Sequence, residues 1–397
     1  MSLLTLNCGS SSVKFALFEP AALERRLEGE IEAIGTAEGR IQVLGEHRLD
    51  QHVQLADHHQ ALARLAALLG QWRIVPRAVG HRVVHGGERF HETVVVDDAV
   101  LAAIETTAAL APLHNPINLE GIRLAQQLWP QAVQIAAFDT AFHQTLPPEA
   151  FHYAVPKVWY PAHGVRRYGF HGLSHAYVTR RAAEQLGKPP AEFNAISLHL
   201  GSGASACAIE NGKSIDTSMG LTPLEGLVMG TRPGDLDPGV LLHLLRRGLT
   251  AAALDEALNR TSGLKGLCGH ADMREVRQAA AGGDEDARLA LAVFCRRVKK
   301  YIGAYLALLG RIDALIFTAG IGQHSPEVRA RCLEGLEGLG LTLDPQRNRQ
   351  ADGHTLAPIH HPEAKTAILV VPTDEAWQIA HDMQTLLNLR ENDHDHA

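Results

Sequence analysis

The chain has 397 residues, enough for two domains of ordinary size, and 46% of them are hydrophobic and 20% charged, the balance of a globular protein. Its 37 basic and 44 acidic residues give a formal net charge of −7, which argues against a nucleic-acid partner. The strongest apolar runs, such as AILVV over 367–371, are strand length and too short to cross a bilayer.

The chain begins directly with a strand, so no signal peptide is expected. Residues 3–18, LLTLNCGSSSVKFALF, read as strand, tight polar turn, strand. Gly9 frees the turn, and Asn7, Ser10, Ser12 and Lys14 surround it with an amide, hydroxyls and a positive charge. Such a turn can cradle phosphate, although it lacks the Gly-Lys-Ser/Thr ending of a P-loop. Alternation over 29–53 predicts antiparallel strands, and leucines 62, 65, 68 and 69 predict a helix over 58–72. A strand over 78–84 runs into His85-Gly86-Gly87, and Asp97 or Asp98 caps a helix through Thr107. LAPLHNPIN over 110–118 reads as a loop opening a helix over 119–128. A strand over 133–138 then brings Asp139 to its carboxyl end, where open α/β sheets collect ligands.

A second copy of the opening pattern lies over 195–212, AISLHLGSGASACAIENG. Two phosphate hairpins half a chain apart predict two related domains facing a shared cleft. The boundaries expected are 1–142 plus 376–397 for the first domain and 143–375 for the second. Ser174 caps a helix through Leu186, and 217–239 is a Gly/Pro-rich loop too long for a mere connection. A helix over 284–309 stops at Gly310, and Asp374 caps a closing helix through Leu386 that packs on the first domain. The tail ENDHDHA is polar and expected to fray. Five scattered cysteines suit a reducing cytoplasm better than a disulfide framework.

The polar groups at these strand ends and loops are Asn7, Arg82, His114, Asp139, His171, His199, Arg232 and Glu375. Paired arginines suit carboxylate and phosphoryl oxygens, and Asp139 and Glu375 offer oxygen ligands to magnesium. Each has a plainer alternative: Arg82 as a surface ion pair, Asp139 as a turn cap, and His81, His85 and His114 as satisfied core histidines. Arg232, in GTRPGD, is the hardest to explain as structure alone.

The stretches LNCGSSSVKF, GHRVVHGGERF, LAPLHNP, FDTAFHQTLP, RRYGFHG, HLGSGAS, GTRPGDLDPG, TAGIG and PTDE, in this order, resemble the acetate kinase family along nearly the whole chain. The resemblance implies two actin-like (ribonuclease H-like) α/β domains, each a mixed sheet flanked by helices, with the active site in the interdomain cleft. It implies reversible phosphotransfer from ATP to acetate, giving acetyl phosphate and ADP, with Mg2+ (or Mn2+) held by Asn7 and Glu375. Asp139, His171 and Arg232 would be catalytic. Arg82 would bind the acyl substrate, with Val84, Leu113, Phe170 and Pro223 around its methyl group and His114 on the same side. Lys14, Ser10, Ser12 and His199-Leu200-Gly201-Ser202-Gly203 would contact phosphate. Asp272-Met273-Arg274 and Gly320-Ile321-Gly322-Gln323-His324 would line the nucleoside site. The family is a homodimer joined through the second domain. The chain departs from the family pattern at Ser202 (usually Asn), Gln323-His324 (Glu-Asn) and Leu173 (Thr), and all but Leu173 fall on the nucleotide side. The near rival is a propionate or butyrate kinase; the remote one is a non-kinase ATPase module.

Overall fold

A computed structural model describes residues 2–395, with side chains as far as Leu389. The chain divides into two compact units, Met1–Gln144 with Asp374–Ala397, and Thr145–Thr373.

In the first unit β1 (Ser2–Cys8) turns back into β2 (Val13–Phe18), then β3 (Arg25–Glu32), β4 (Arg40–Gly45) and β5 (Leu49–His52) continue as an antiparallel meander. On its other side β1 pairs in parallel with β6 (Pro76–Val83), and β6 with β8 (Val133–Phe138). The short β7 (Val94–Val95) closes the edge, giving the order β5-β4-β3-β2-β1-β6-β8-β7. Parallel strands need both faces covered, and β1, β6 and β8 are buried along nearly their whole length rather than at alternate residues. The helix His58–Gln71, capped by Asp57, buries Leu62, Leu65, Leu68 and Leu69 with Leu4, Leu6, Phe15 and Val79. At about 1.5–3 kcal/mol per buried leucine, that face is a large part of the unit's stability. Elsewhere Phe90 stacks on Phe138 at 4.2 Å within a second cluster holding Val83 and Ile104.

The closing helix Glu375–Asp395 packs on this unit, as expected, with Asp374 as its cap. It passes close over Gly80, where a Cβ would come within 2.3 Å of Met383 Sδ. It runs on well past Leu386; His396 and Ala397 lie outside the described residues.

In the second unit β9 (Ala195–Leu200) pairs antiparallel with β10 (Ala204–Glu210), which pairs with β11 (Lys213–Thr217). Parallel β12 (Ala314–Thr318) and β14 (Ala367–Val370) follow on the other side of β9, and β13 (Ala357–Pro358) ends the sheet. The orders β3-β2-β1-β6-β8 and β11-β10-β9-β12-β14 are the same arrangement, hairpin plus third strand, then two parallel strands. The duplication read from the two hairpins is thus a duplication of topology, and each unit is a mixed sheet flanked by helices. Residues 218–237 contain no helix or strand, as the Gly/Pro content predicts. The helix Glu285–Leu309, capped by Asp284 and stopped by Gly310 at φ 65°, packs against β10.

Two local readings change. The helix over 119–128 starts earlier, at Asn115, because Pro116 fits its first turn. Ser174 is not a cap: the helix Gly172–Gln185 begins after His171, and the Ser174 hydroxyl is bonded instead to His199 and Thr373.

Candidate active site

In the first unit, Asn7 ends β1, Arg82 nears the end of β6, Asp139 follows β8 and Glu375 opens the last helix. Parallel neighbours bring their carboxyl ends together, so four residues distant in sequence converge. Arg82 donates from Nε and Nη2 to the two Asp139 carboxylate oxygens at 3.0 and 2.6 Å. Its Nη1 lies 3.4 Å from Asn7 Oδ1, and its Nε 3.6 Å from Glu375 Oε2. Burial opposes the charge on Arg82, but Asp139 and Glu375 outweigh burial and raise its pKa above the ordinary arginine value. Asp139 is 1% exposed with both oxygens engaged by Arg82, so in this structure it holds the arginine.

The turns around this cluster are knitted by two buried amides that sequence reading passed over. Asn118 accepts from Val84 N–H at 3.1 Å and donates to Cys8 O at 3.0 Å. Asn115 accepts from His85 N–H at 3.0 Å and donates back to His85 O at 2.8 Å. The signal was present as Asn-Pro-Ile-Asn, whose i, i+3 spacing puts both amides on one helix face. His81 is a core residue bonded to Gln134 at 2.8 Å, its pKa lowered to about 4 by burial. Val84 is buried, whereas Leu113 is 46% exposed and His114 is exposed too. Ser10 and Lys14 are exposed around the turn closed by Gly9 N–H to Ser12 O at 2.8 Å, and Lys14 lies 3.5 Å from Glu30.

In the second unit the β9–β10 hairpin meets the start of the helix Gly172–Gln185 and the 218–237 loop. His171 has φ 57°, a left-handed conformation costing a histidine on the order of 1 kcal/mol. What holds it there is visible. Its Nδ1 lies 2.9 Å from Ser205 Oγ, which lies 2.8 Å from His175 Nε2, and its ring stacks on His199 at 4.2 Å. His199 Nδ1 is in turn 2.8 Å from Ser174 Oγ. Nε2 of His171 faces Gly203, where an added Cβ would sit 3.3 Å from it and 2.9 Å from Arg232 Nη2. Gly203 thus leaves open the space on which His171 and Arg232 converge. Arg232 is aimed by a hydrogen bond from Nη1 to Pro223 O at 2.8 Å. Burial lowers its pKa. A guanidinium buried in this way is poised for an anion. Phe170 is buried beside this group in sequence, and Ser202 at the hairpin tip is exposed.

The acetokinase family model matches residues 2–381. The chain belongs to the acetokinase family. An acetate kinase of Leifsonia xyli is 51% identical over 96% of this chain and 97% of its own length. One from Streptomyces coelicolor is 50% identical over 97% of each. A crystal structure of Porphyromonas gingivalis acetate kinase superposes with a TM-score of 0.90 at 41% identity, covering 97% of this chain and 99% of the other. A propionate kinase from Francisella tularensis also reaches 0.90 at 41% identity, over 96% and 98%. The chain is therefore an acetokinase-type phosphotransferase with a carboxyl group as acceptor, using ATP and ADP as phosphate carriers.

The other stretches singled out in the sequence, 272–274 and 320–324, also lie in the second unit. Asp272 caps the helix Met273–Ala281 and also pairs with Arg274, whose side chain is 89% exposed. The 320–324 stretch lies in a short helix, Ala319–His324. Its last carbonyls are gripped from below by Arg329, which donates to Gly322 O at 2.9 Å and Gln323 O at 2.6 Å. Arg329 is fully buried, bonded otherwise to Asn348 and Ala351, and burial pulls its pKa down to about 10. No sequence pattern announced it, since an arginine seven residues past Gly322 reads as surface. Gln323 donates to Gly353 O at 3.0 Å and His324 Nδ1 lies 2.8 Å from Asp352 O, so both departures serve this local packing.

Proposed function

We propose that this acetokinase is an acetate kinase, transferring the γ-phosphoryl of ATP reversibly to the acetate carboxylate by direct in-line attack. The observation that carries the reading is the convergence of Arg232 and His171 on the open space over Gly203. Arg232 would hold equatorial phosphoryl oxygens, and His171 Nε2 would donate a hydrogen bond to the same group. Arg82 binds the acetate carboxylate with Asp139 fixing its plane. A carboxylate is already ionised at pH 7, so no strong general base is needed. Phosphoryl transfer requires positioning and positive charge more than covalent chemistry. Lys14, Ser10, Ser12 and the 199–203 turn contact phosphates; 272–274 and 320–324 line the nucleoside. The direct test is hydroxamate trapping of acyl phosphate from acetate and ATP. No trapped product with wild-type protein would overturn the reading.

Magnesium takes one or two protein oxygens plus substrate phosphates and keeps several waters, and Asn7 Oδ1 and Glu375 Oε2 are two oxygens set around one guanidinium, 3.4 and 3.6 Å from Arg82. Asn7 and Glu375 are the donors we assign, and the ion would supply charge neutralisation on the phosphates, with Mn2+ able to replace it. Glu375→Ala and Asn7→Ala should each raise the magnesium needed for half-maximal rate more than the acetate needed. Magnesium titrations that overlay the wild type would remove both from the metal site.

Acyl preference is the point at which a propionate kinase is the second reading, because one superposes on this chain as well as an acetate kinase does. Buried Val84 is the pocket wall we assign. Val84→Ala should raise the kcat/KM ratio of propionate over acetate, by up to about tenfold, one methylene being worth about 1–3 kcal/mol. An unchanged ratio would show that Val84 does not touch the acyl chain.

We assign a homodimer through the second unit, whose surface exposes Leu236, Val240, Leu242, Leu245 and Leu249 in and beside the helix Pro238–Arg246. Sedimentation equilibrium should give twice the chain mass of 43.0 kDa, and a monomer at micromolar concentration would refute it. We assign a cytoplasmic enzyme with neither membrane nor nucleic-acid partner: five free thiols suit a reducing compartment, and the net charge of −7 does not favour nucleic acid. Recovery of the native protein in a membrane fraction would count against that placement.

A further inference from the structure

The loop that carries Arg232 is closed at its neck. Asp235 N–H donates to Gly226 O at 3.0 Å, and Gly226 N–H donates back to Asp235 Oδ1 at 2.9 Å. Glycine is needed at this crossing. Gly226 has φ +104° and Gly234 φ +71°, and a Cβ on Gly234 would come within 2.4 Å of Gly226 O. The neck is fastened to the long helix Glu285–Leu309 by two residues one turn apart. Arg297 donates from Nη1 to Gly226 O at 2.8 Å and from Nη2 to Asp235 O at 3.1 Å. Tyr301 donates its hydroxyl to both Asp235 carboxylate oxygens, at 3.1 and 3.0 Å. The helix is rigidly seated through buried Leu291, Phe294, Val298 and Ile302. Burial and the neighbouring Asp235 both raise the pKa of Tyr301, so its hydroxyl stays protonated and donates.

We infer that Asp235 is a positioning residue for phosphoryl transfer, fixing the aim of Arg232 by closing the 226–235 loop and tying it to Tyr301 and Arg297. The inference rests on the reading that Arg232 stabilises the transition state. The far side of the loop is anchored separately, by Leu264 N–H to Met229 O and Lys265 N–H to Gly230 O, both at 2.9 Å. Opening the neck should therefore tilt the loop rather than unfold it. A displacement near 1 Å costs up to about 10²-fold in rate when the displaced group acts on the transition state.

The test is steady-state kinetics of the full-length enzyme with Asp235→Asn, Tyr301→Phe, Arg232→Ala and the double variant Asp235→Asn/Arg232→Ala. Asp235→Asn should lower kcat about tenfold with KM for ATP held within about twofold, and Tyr301→Phe should lower kcat about threefold. In the Arg232→Ala background, Asp235→Asn should cost nothing further, because the group it aims is gone. A purely structural Asp235 would instead multiply its loss onto that of Arg232→Ala, and that result overturns the inference. So does an Asp235→Asn enzyme with more than half of wild-type kcat while Arg232→Ala is inactive. An Arg232→Ala enzyme of near wild-type turnover would instead overturn the underlying reading of Arg232, and this inference with it. If Asp235→Asn fails to fold, the same cycle run with Tyr301→Phe decides the matter by the same criterion.

Discussion

Arg232→Ala is expected to lower kcat by about 10³-fold or more, the scale on which removal of a cation at a transferring phosphoryl group acts. The physical case is the environment of its side chain. Burial lowers the pKa of this guanidinium, and its Nη1 hydrogen bond runs to a neutral carbonyl, Pro223 O at 2.8 Å. A buried guanidinium bonded to a neutral carbonyl gains strongly from a charge-assisted bond, and an incoming phosphoryl group would supply one. Truncation should leave the fold intact, because the bond it removes is one to a carbonyl and the space over Gly203 is already open. Arg232→Lys should recover little, since an ammonium cannot hold the Pro223 carbonyl and a phosphoryl oxygen in one plane. Turnover by hydroxamate trapping, with the melting temperature as a check on folding, measures this. A variant retaining more than a tenth of wild-type turnover would exclude Arg232 from the mechanism.

The fold was legible where one physical pattern dominated. The two hairpins stood out because strand, small-residue turn and strand recur as LNCGSSSVKF and LHLGSGASACAI, and the matching sheet orders follow from them. Of the caps read in the sequence, Asp97 and Asp374 accept from helix N–H groups, since a short side chain at that point has few other uses. What was not legible depended on partners far away in sequence. Ser174 has the composition of a cap, but His199 and Thr373 take its hydroxyl, and nothing local predicts that. Asn115 and Asn118 sit in a proline-broken stretch that reads as loop, yet Asn118 ties Cys8 to Val84 across strands and Asn115 holds both backbone groups of His85. Arg329 shows the same limit, because an arginine buried against five carbonyl and amide oxygens looks in sequence like any surface arginine. Leu113, matched to a pocket wall by motif, is 46% exposed, which nothing in its local sequence signals. The polar cluster of the first unit was foreseen as a set of residues, but not its pairing.

That pairing leads to the second large effect, in Asp139→Ala. Read from the sequence, Asp139 is an acid at a strand end that offers its oxygens to magnesium. In the structure both its oxygens are committed to Arg82, at 3.0 and 2.6 Å, in a two-pronged bond that fixes the plane of the guanidinium. Removing the carboxylate leaves Arg82 with Glu375 at 3.6 Å as its nearest charge, and the arginine should swing toward it. Two consequences follow if Arg82 binds the acetate carboxylate. Its plane is lost, so kcat/KM for acetate should fall by about 10²-fold, as for other misplaced positioning groups. Glu375 is drawn into an ion pair, so the magnesium requirement should rise as well. Stability should fall by about 3 kcal/mol, because one partner of a buried pair is left without the other. Asp139→Asn should lose nearly as much rate, since only one of its two terminal atoms accepts a hydrogen bond while the other points a donor at a donor. An Asp139 that acted on substrate directly would give a different signature: kcat would fall with KM for acetate unchanged, and the loss would add to that of Arg82→Ala. Acetate saturation curves at several magnesium concentrations separate the two. A kcat/KM for acetate within about threefold of wild type in Asp139→Ala would refute the positioning role and leave the Arg82 pair a matter of stability alone.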